Sequence, residues 1–157
     1  LSNGSGMGKS DLANSGNLLL DGLLNQAYER AVKAKIQMKL RLEIPYKLNI
    51  SGADLYVILG NALENALEAS LKTAPDRRRI DLTIYPHFTH LLLIQVKNTF
   101  EGEIQEKGGI FQSSKRSSDG IGIKSVRRIC EKNGGASNFS CENGVFIAQI
   151  MLRMDSK

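Results

Sequence analysis

Along residues 17–35 the apolar positions Leu20, Leu23, Leu24, Ala27 and Ala31 recur every three or four residues, which predicts an amphipathic helix. The period then changes. Over residues 37–44, Met38, Leu40, Leu42 and Ile44 alternate with polar residues, the pattern of a strand with one buried face. Pro45, which has no N–H to give a ladder, ends it. Ser51 or Asp54 can cap a second helix running to about residue 71, with Leu55, Ile58, Leu59, Ala62, Ala66 and Ala69 as its core stripe. Residues 80–85 and 91–97 read as a strand pair joined through Pro86-His87-Phe88-Thr89-His90.

Residues 98–119 show little hydrophobic period and are expected to be largely loop. A loop of that length inside one domain usually serves as a lid or a binding segment. A third helix is expected over residues 120–132, with Ile123, Val126 and Ile129 or Cys130 inward and Gly134-Gly135 as its left-handed cap. Strands at 136–141 and 145–152 follow, joined by Asn143-Gly144, a strong short-range hairpin signal.

The predicted order is helix, strand, helix, strand, strand, loop, helix, strand, strand. Strands that follow one another directly pair antiparallel. The fold class is therefore α+β: a two-layer sandwich of a mixed, mostly antiparallel sheet with about three helices on one face, and not a doubly wound nucleotide fold. No internal repeat is visible. The 157 residues favour one domain over two, and a chain of that length removes roughly two thirds of its surface from water without a disulfide or metal staple. Residues 1–14 are rich in Gly, Ser and Asn and read as a disordered tail or cloning remnant, leaving 15–157 as the domain.

Composition adds exclusions. The longest apolar stretch, residues 91–96, is far too short to span a bilayer, and no segment reads as a signal peptide. Cys130 and Cys141 lack Cys-x-x-Cys or Cys/His ligand spacing and are expected to be buried free thiols. The net charge of +5 suits an anionic ligand but is too scattered for a nucleic-acid face. Arg77-Arg78-Arg79 reads as a solvated run, with a partner-binding patch as the alternative. Gly8-Lys9-Ser10 ends like a phosphate-binding P-loop, but Asn3 stands where that motif needs its first glycine, and no strand precedes it.

Two features carry chemistry. On the second helix Asn61, Asn65 and Glu68 share one stripe beside the alanine-lined seam. Asparagine is a mediocre helix former, so two of them one turn apart suggest amides aimed at something polar, although both could be solvated positions. Further on, Ser113-Ser114-Lys115 precedes Asp119-Gly120-Ile121-Gly122-Ile123-Lys124. Glycines at the mouth of a helix leave N–H groups open to a close anionic ligand, and Lys115 and Lys124 would add charge. A lone Gly-x-Gly is also a plain helix start.

Taken together, Asn-x-x-x-Asn-Ala on a helix, a strand ending Val96-Lys97-Asn98-Thr99, a long segment with Ser-Ser-Lys, and Gly-Ile-Gly opening a helix resemble the GHKL superfamily. The resemblance covers residues 15–152 and extends to the peptide-receptor histidine kinases of quorum sensing, through Ser15-Gly16-Asn17 and Asp21-Gly22-Leu23-Leu24-Asn25-Gln26. It implies a Bergerat-type ATP-binding fold and the catalytic domain of a two-component sensor histidine kinase. By the same resemblance Asn65 holds Mg²⁺ against the ATP phosphates, and Asn61 stands where ATP-hydrolysing relatives keep a glutamate base. Asn98 accepts from the exocyclic amine of adenine, and Gly102 is the remnant of a first glycine box. Ser114 and Lys115 belong to the lid, and Gly120, Ile121, Gly122 and Lys124 to the second glycine box. Asp119 departs from the subfamily, which commonly has histidine there, and places a carboxylate near the phosphates.

The implied partners are an upstream dimerisation domain carrying the phosphoaccepting histidine and a response regulator, with the domain on the cytoplasmic side of a membrane-bound receptor. His87 and His90 are the only histidines, and both flank a predicted strand–strand turn. The competing readings are a nucleotide-sensing pseudokinase, another GHKL ATPase, and an anti-sigma-type serine kinase.

Overall fold

A computed structural model describes residues 18–45, 48–101, 105–107, 110–112 and 117–154, with side-chain surroundings for those outside 102–121. Helix α1 (Leu18–Lys33) leads into β1 (Gln37–Leu42). Helix α2 (Gly52–Leu71) is followed by a 3-10 turn (Pro75–Arg77), then β2 (Arg79–His87) and β3 (Leu91–Thr99). A short hairpin of β4 (Gln105–Lys107) and β5 (Ile110–Gln112) precedes α3 (Ser117–Lys132). Strands β6 (Ala136–Glu142) and β7 (Val145–Arg153) complete the order.

The five-stranded sheet runs β1-β2-β3-β7-β6. β1 and β2 pair parallel across the α2 crossover, and every other pair in the sheet is antiparallel. Alternation decides which face is buried. Ile80, Leu82 and Ile84 of β2, Leu92, Ile94 and Val96 of β3, and Ala148, Ile150 and Leu152 of β7 are register neighbours and all buried. They meet Leu20, Leu24, Ala27 and Ala31 of α1, the Leu55-to-Leu67 stripe of α2, and Ile123, Val126 and Cys130 of α3 in one core. The fold is thus the α+β sandwich with three helices that the periodicity predicts.

Helix ends explain the boundaries. The Ser51 side chain accepts from the Asp54 N–H at 3.3 Å and starts α2. At the end of α3, Gly135 N–H donates to the Cys130 carbonyl at 2.8 Å and Gly134 N–H to Glu131 at 3.1 Å, a Schellman closure with Gly134 at φ +68°. α1 closes in the same way through Ile36 and Lys35, but there the left-handed residue is Lys35, at φ +61°. Asn143 (φ +54°) and Gly144 (φ +77°) make the two-residue turn between β6 and β7.

Three expectations need correction. The 98–119 segment is not all loop, because β3 runs on to Thr99 and residues 105–112 contain the β4–β5 hairpin. The arginine run is not merely solvated. Arg78 donates from Nε to the Thr73 carbonyl (3.1 Å), from Nη1 to Ala34 (2.8 Å) and from Nη2 to Leu71 (3.1 Å), so its cation sits where α1 and α2 both end. Arg77 pairs with Glu101, and Arg79 lies 3.8 Å from Asp81. Finally, Cys130 is buried as expected but Cys141 is exposed, because it lies near the end of the edge strand β6.

A Cβ on Gly135 would lie 1.9 Å from the Met151 carbonyl oxygen, and backbone cannot yield there cheaply. Gly135→Ala is expected to cost about 3 kcal/mol or more. Lys35→Gly, which relieves a left-handed lysine, should instead add about 1 kcal/mol. Urea midpoints of the two variants check both signs.

Candidate functional site

The sheet and two helix contacts place the chemistry-bearing residues. α2 and α3 lie side by side and antiparallel. At one end the Asp54 carboxylate, in the first turn of α2, accepts from Asn133 Nδ2 at 3.1 Å and faces Lys132 Nζ at 3.4 Å, just where α3 ends. Further along, the second turn of α3 meets the middle of α2 at Gly122. A Cβ built on Gly122 would lie 3.5 Å from Asn61 Oδ1 and 3.8 Å from Asn65 Nδ2. Two amides one turn apart and a glycine almost sixty residues later in the chain therefore meet. A Cβ on Gly60, beside Asn61, would touch nothing within 4 Å, so that side of α2 is open.

Asn98 is the third member. It is 3% exposed, pairs across the sheet with Ile80 and Phe146, and shares the helix-facing side with Val96 and Ile94. Its Nδ2 donates to the Thr99 carbonyl at 2.9 Å. That bond turns the acceptor oxygen of the amide the other way.

The carboxylates of α2 are turned elsewhere. Glu64 binds Arg30 of α1 at 2.8 Å, and Glu64 and Glu68 together hold the Arg30 guanidinium above its ordinary pKa, the Glu64 hydrogen bond first. Both partners of that pair are about half exposed, so it orients α1 on α2 more than it stabilises the fold. Among the described residues no group of three or more His, Cys, Asp or Glu side chains could hold a metal.

The remaining predicted residues fall as follows. Gly102, Ser114 and Lys115 lie outside the described residues. Gly120 and Ile121 are in the first turns of α3, with their surroundings outside the description. The glycines are not at the helix mouth: α3 begins at Ser117, so Gly120 is its fourth residue and Gly122 its sixth. The reason is local, since Ser117-Ser118-Asp119 is itself good helix-start chemistry. Lys124 is exposed, and two residues on from Gly122 it stands about 200° round the helix, away from the Asn61–Asn65 contact. Phe146 was not singled out by its sequence context. Counting the two-residue period of β7 back from Ile150 puts it on the buried face beside Asn98.

A shallow groove of about 420 Å³ opens on the other face of the sheet, lined by Arg79, Asp81, Lys97, Glu142 and Ile147 among others, and Asn98 also contributes to its lining. Its two cations are matched by two carboxylates, and neither Asn61, Asn65 nor Gly122 reaches it. The convergence of amides and glycine, on the helix-facing side, is the better candidate.

Residues 50–153 match the family model described as "GHKL domain", and the chain belongs to that family. Its fold is that of solved histidine kinase domains. It superposes on the mycobacterial sensor histidine kinase MprB with TM-score 0.66 at 16% identity, covering 86% of this chain and 93% of that one. For a nucleotide-free catalytic domain of histidine kinase ThkA the TM-score is 0.70 at 14% identity, covering 87% and 92%. Full-length ShkA in complex with AMPPNP gives 0.64 at 20% identity, covering 86% of this chain but 30% of that one. Among curated proteins nothing matches. No helix of the described residues is long and apolar enough to cross a membrane.

Burial pushes the Cys130 thiol up to about 11 from an ordinary 9.0, with a hydrogen bond involving Ser137 pulling the other way. Packed in the core, it serves structure. Below pH 9 folded and unfolded chains both keep this proton. Between 9 and 11 only the unfolded chain gives it up, so stability should fall as pH rises through that window and level off above it. At pH 8 a thiol reagent should modify Cys141 at once and Cys130 only through opening of the fold. Equal rates for the two would contradict this packing.

Proposed function

We propose that the chain is the Mg-ATP-binding catalytic domain of a two-component sensor histidine kinase, passing the γ-phosphate to a histidine on a separate dimerisation domain. The observation that carries this is the meeting of Gly122 with Asn61 and Asn65. Family membership and the shared fold support ATP as the ligand.

The donor set fits the metal. An amide oxygen is a hard ligand that suits Mg²⁺, which keeps several waters and leans on substrate oxygens and so needs no acidic cluster. On this reading Asn65 is the protein ligand, and Mg²⁺ would neutralise charge developing between the phosphates. The helix backbone at Gly120-Ile121-Gly122, bare of side chains at both glycines, lets phosphate oxygens approach. Asn98 offers its oxygen to the exocyclic amine of adenine. Lys115, in the Ser114-Lys115 lid, reaches the γ-phosphate.

In the transfer the bond from γ-phosphorus to the bridging oxygen of ADP breaks and a bond to the acceptor imidazole nitrogen forms. The chain positions the reactants and neutralises charge. An amide at position 61 can orient water but cannot take a proton from it, and Glu64 and Glu68 are gathered round Arg30. That favours a protein acceptor over hydrolysis.

The acceptor lies outside this domain. His87 and His90 lie at the end of the sheet away from Asn98, about 25 Å along the strands. We further propose 15–157 as the domain, with a response regulator as the downstream partner. A peptide-sensing, membrane-bound receptor upstream follows from the subfamily resemblance, and the domain is then cytoplasmic.

Calorimetry with ATP, with and without Mg²⁺, and transfer from labelled ATP to an added phosphoacceptor domain test this reading. ATP binding without transfer would favour a nucleotide sensor, and steady phosphate release by the domain alone would favour an ATPase. Asn65→Ala should abolish Mg²⁺-dependent ATP binding while the circular dichroism spectrum is kept. Unchanged affinity would remove the metal assignment. Lys115→Ala should weaken ATP by about tenfold or more and ADP by much less, since a charge-assisted contact to the γ-phosphate is lost. Equal losses would place the lysine elsewhere.

A further inference from the structure

The sheet ends at β1, which pairs with β2 on one side and with no other strand among the described residues. Along a strand, the N–H and C=O of one residue point to one side and those of the next residue to the other. Gln37 N–H donates to the Arg78 carbonyl at 2.9 Å and Glu43 N–H to the Ile84 carbonyl at 2.7 Å, so the odd-numbered residues face β2. The backbone groups of Met38, Leu40 and Leu42 therefore point outward along the rim. Over the six residues of β1 that rim is about 20 Å long.

The side chains sort by the same parity. Met38, Leu40 and Leu42 are half-buried and pack against the core on the helix-facing side. Lys39 and Arg41 are exposed on the other face, beside Asp81 and Thr83 of β2. The Asp81 carboxylate lies 3.8 Å from Arg79, and among the described residues no ion pair engages Lys39 or Arg41. Lys35, exposed in the turn before the strand, extends the positive charge, and Glu43 is the single acid of residues 35–43. The opposite rim strand, β6, carries no cation.

An edge with open ladder groups is a template for another strand. Cations set along it repel a second copy of the same edge, but they attract an extended segment of opposite charge. In such an addition the main-chain bonds supply affinity and the alternate side chains supply specificity. We propose that β1 is a docking edge for an extended acidic segment of a partner protein, in which acidic and apolar residues alternate. Its acids face Lys39 and Arg41 on the open side of the sheet, and its apolar residues continue the row of Met38, Leu40 and Leu42. This edge shares no residue with the Asn61–Asn65–Gly122 contact, and the inference stands apart from the reading of the domain as an ATP binder.

A labelled peptide of about eight residues, alternating glutamate with valine, is the probe, followed by fluorescence anisotropy. It should bind the wild-type domain, and a peptide of the same composition with its glutamates grouped should bind about tenfold more weakly or worse. Lys39→Gln combined with Arg41→Gln, both at exposed positions, should weaken the alternating peptide about tenfold or more and keep the circular dichroism spectrum. N-methylation of alternate peptide residues should abolish binding in one phase and spare it in the other, since only one row of N–H groups can face β1. Equal binding of the grouped peptide would reduce the effect to general attraction between opposite charges and overturn the proposal. So would binding kept by the double glutamine variant, or equal effects of the two methylation phases. No binding of the alternating peptide would overturn it too, leaving the cations only to keep edges apart. Sedimentation should find the domain alone monomeric; a dimer that the peptide disperses would assign the edge to a second copy instead. If the glutamine variant loses its fold, the peptide comparisons decide.

Discussion

A missing side chain governs the geometry of this domain. At Gly122 α3 lies so close to α2 that a bare Cβ there would already be in van der Waals contact with the Asn61 and Asn65 amides. One methyl group would just fit, but a branched side chain would push the helices apart or turn the amides away. The far end of α3 is fixed independently, by Asp54 against Asn133 and by the Gly134-Gly135 closure. With that end held, the antiparallel register of the two helices follows, and with it the level at which glycine and amides meet. Hydrophobic burial supplies cohesion but is non-directional. The polar contacts at the helix ends are what select one register.

Charge placement follows the same logic. Arg78 lies where the carbonyl ends of α1 and α2 converge, in the field those helix dipoles create, and satisfies three carbonyls. Asp54 lies at the opposite, amide end of α2, where a carboxylate is favoured. The cationic and anionic anchors of α2 are thus at its two termini. In its middle turn, between Asn61 and Asn65, the one charged residue is Glu64, which pairs with Arg30 of α1. On the proposed reading a triphosphate brought there meets two neutral amides, while Glu64 is held by Arg30 and Asp54 by Asn133 and Lys132.

Much of this was legible in sequence because the signals were local. The change from helical to alternating period at Met38, the Ser51 cap, and Asn143-Gly144 each depend on a few neighbouring residues, and each falls where expected. What was hidden depends on partners distant in sequence. Arg78 reads as one of three surface arginines until the ends of α1 and α2 are brought to it. Phe146 reads as one more apolar residue of a strand until the register sets it beside Asn98. The start of α3 was misplaced for a different reason. Gly120 and Gly122 are poor helix formers, and their low propensity obscured the stronger start chemistry of Ser117-Ser118-Asp119 just before them.

The placement of histidine and carboxylate constrains what such a domain can do with a bound nucleotide. On the proposed reading the phosphates lie near Asn61, where an amide replaces any base able to deprotonate water. Glu64 and Glu68 of α2 act on Arg30 of α1, and Asp54 pairs with the end of α3. The two histidines are a sheet's length away, and a strand cannot bend back across that distance while keeping its ladder. On that reading the nucleophile comes from another domain. Regulation follows from this division. If reactivity needs a second domain to dock, an upstream signal need only change how often the two domains meet, and the nucleotide site itself can stay unchanged.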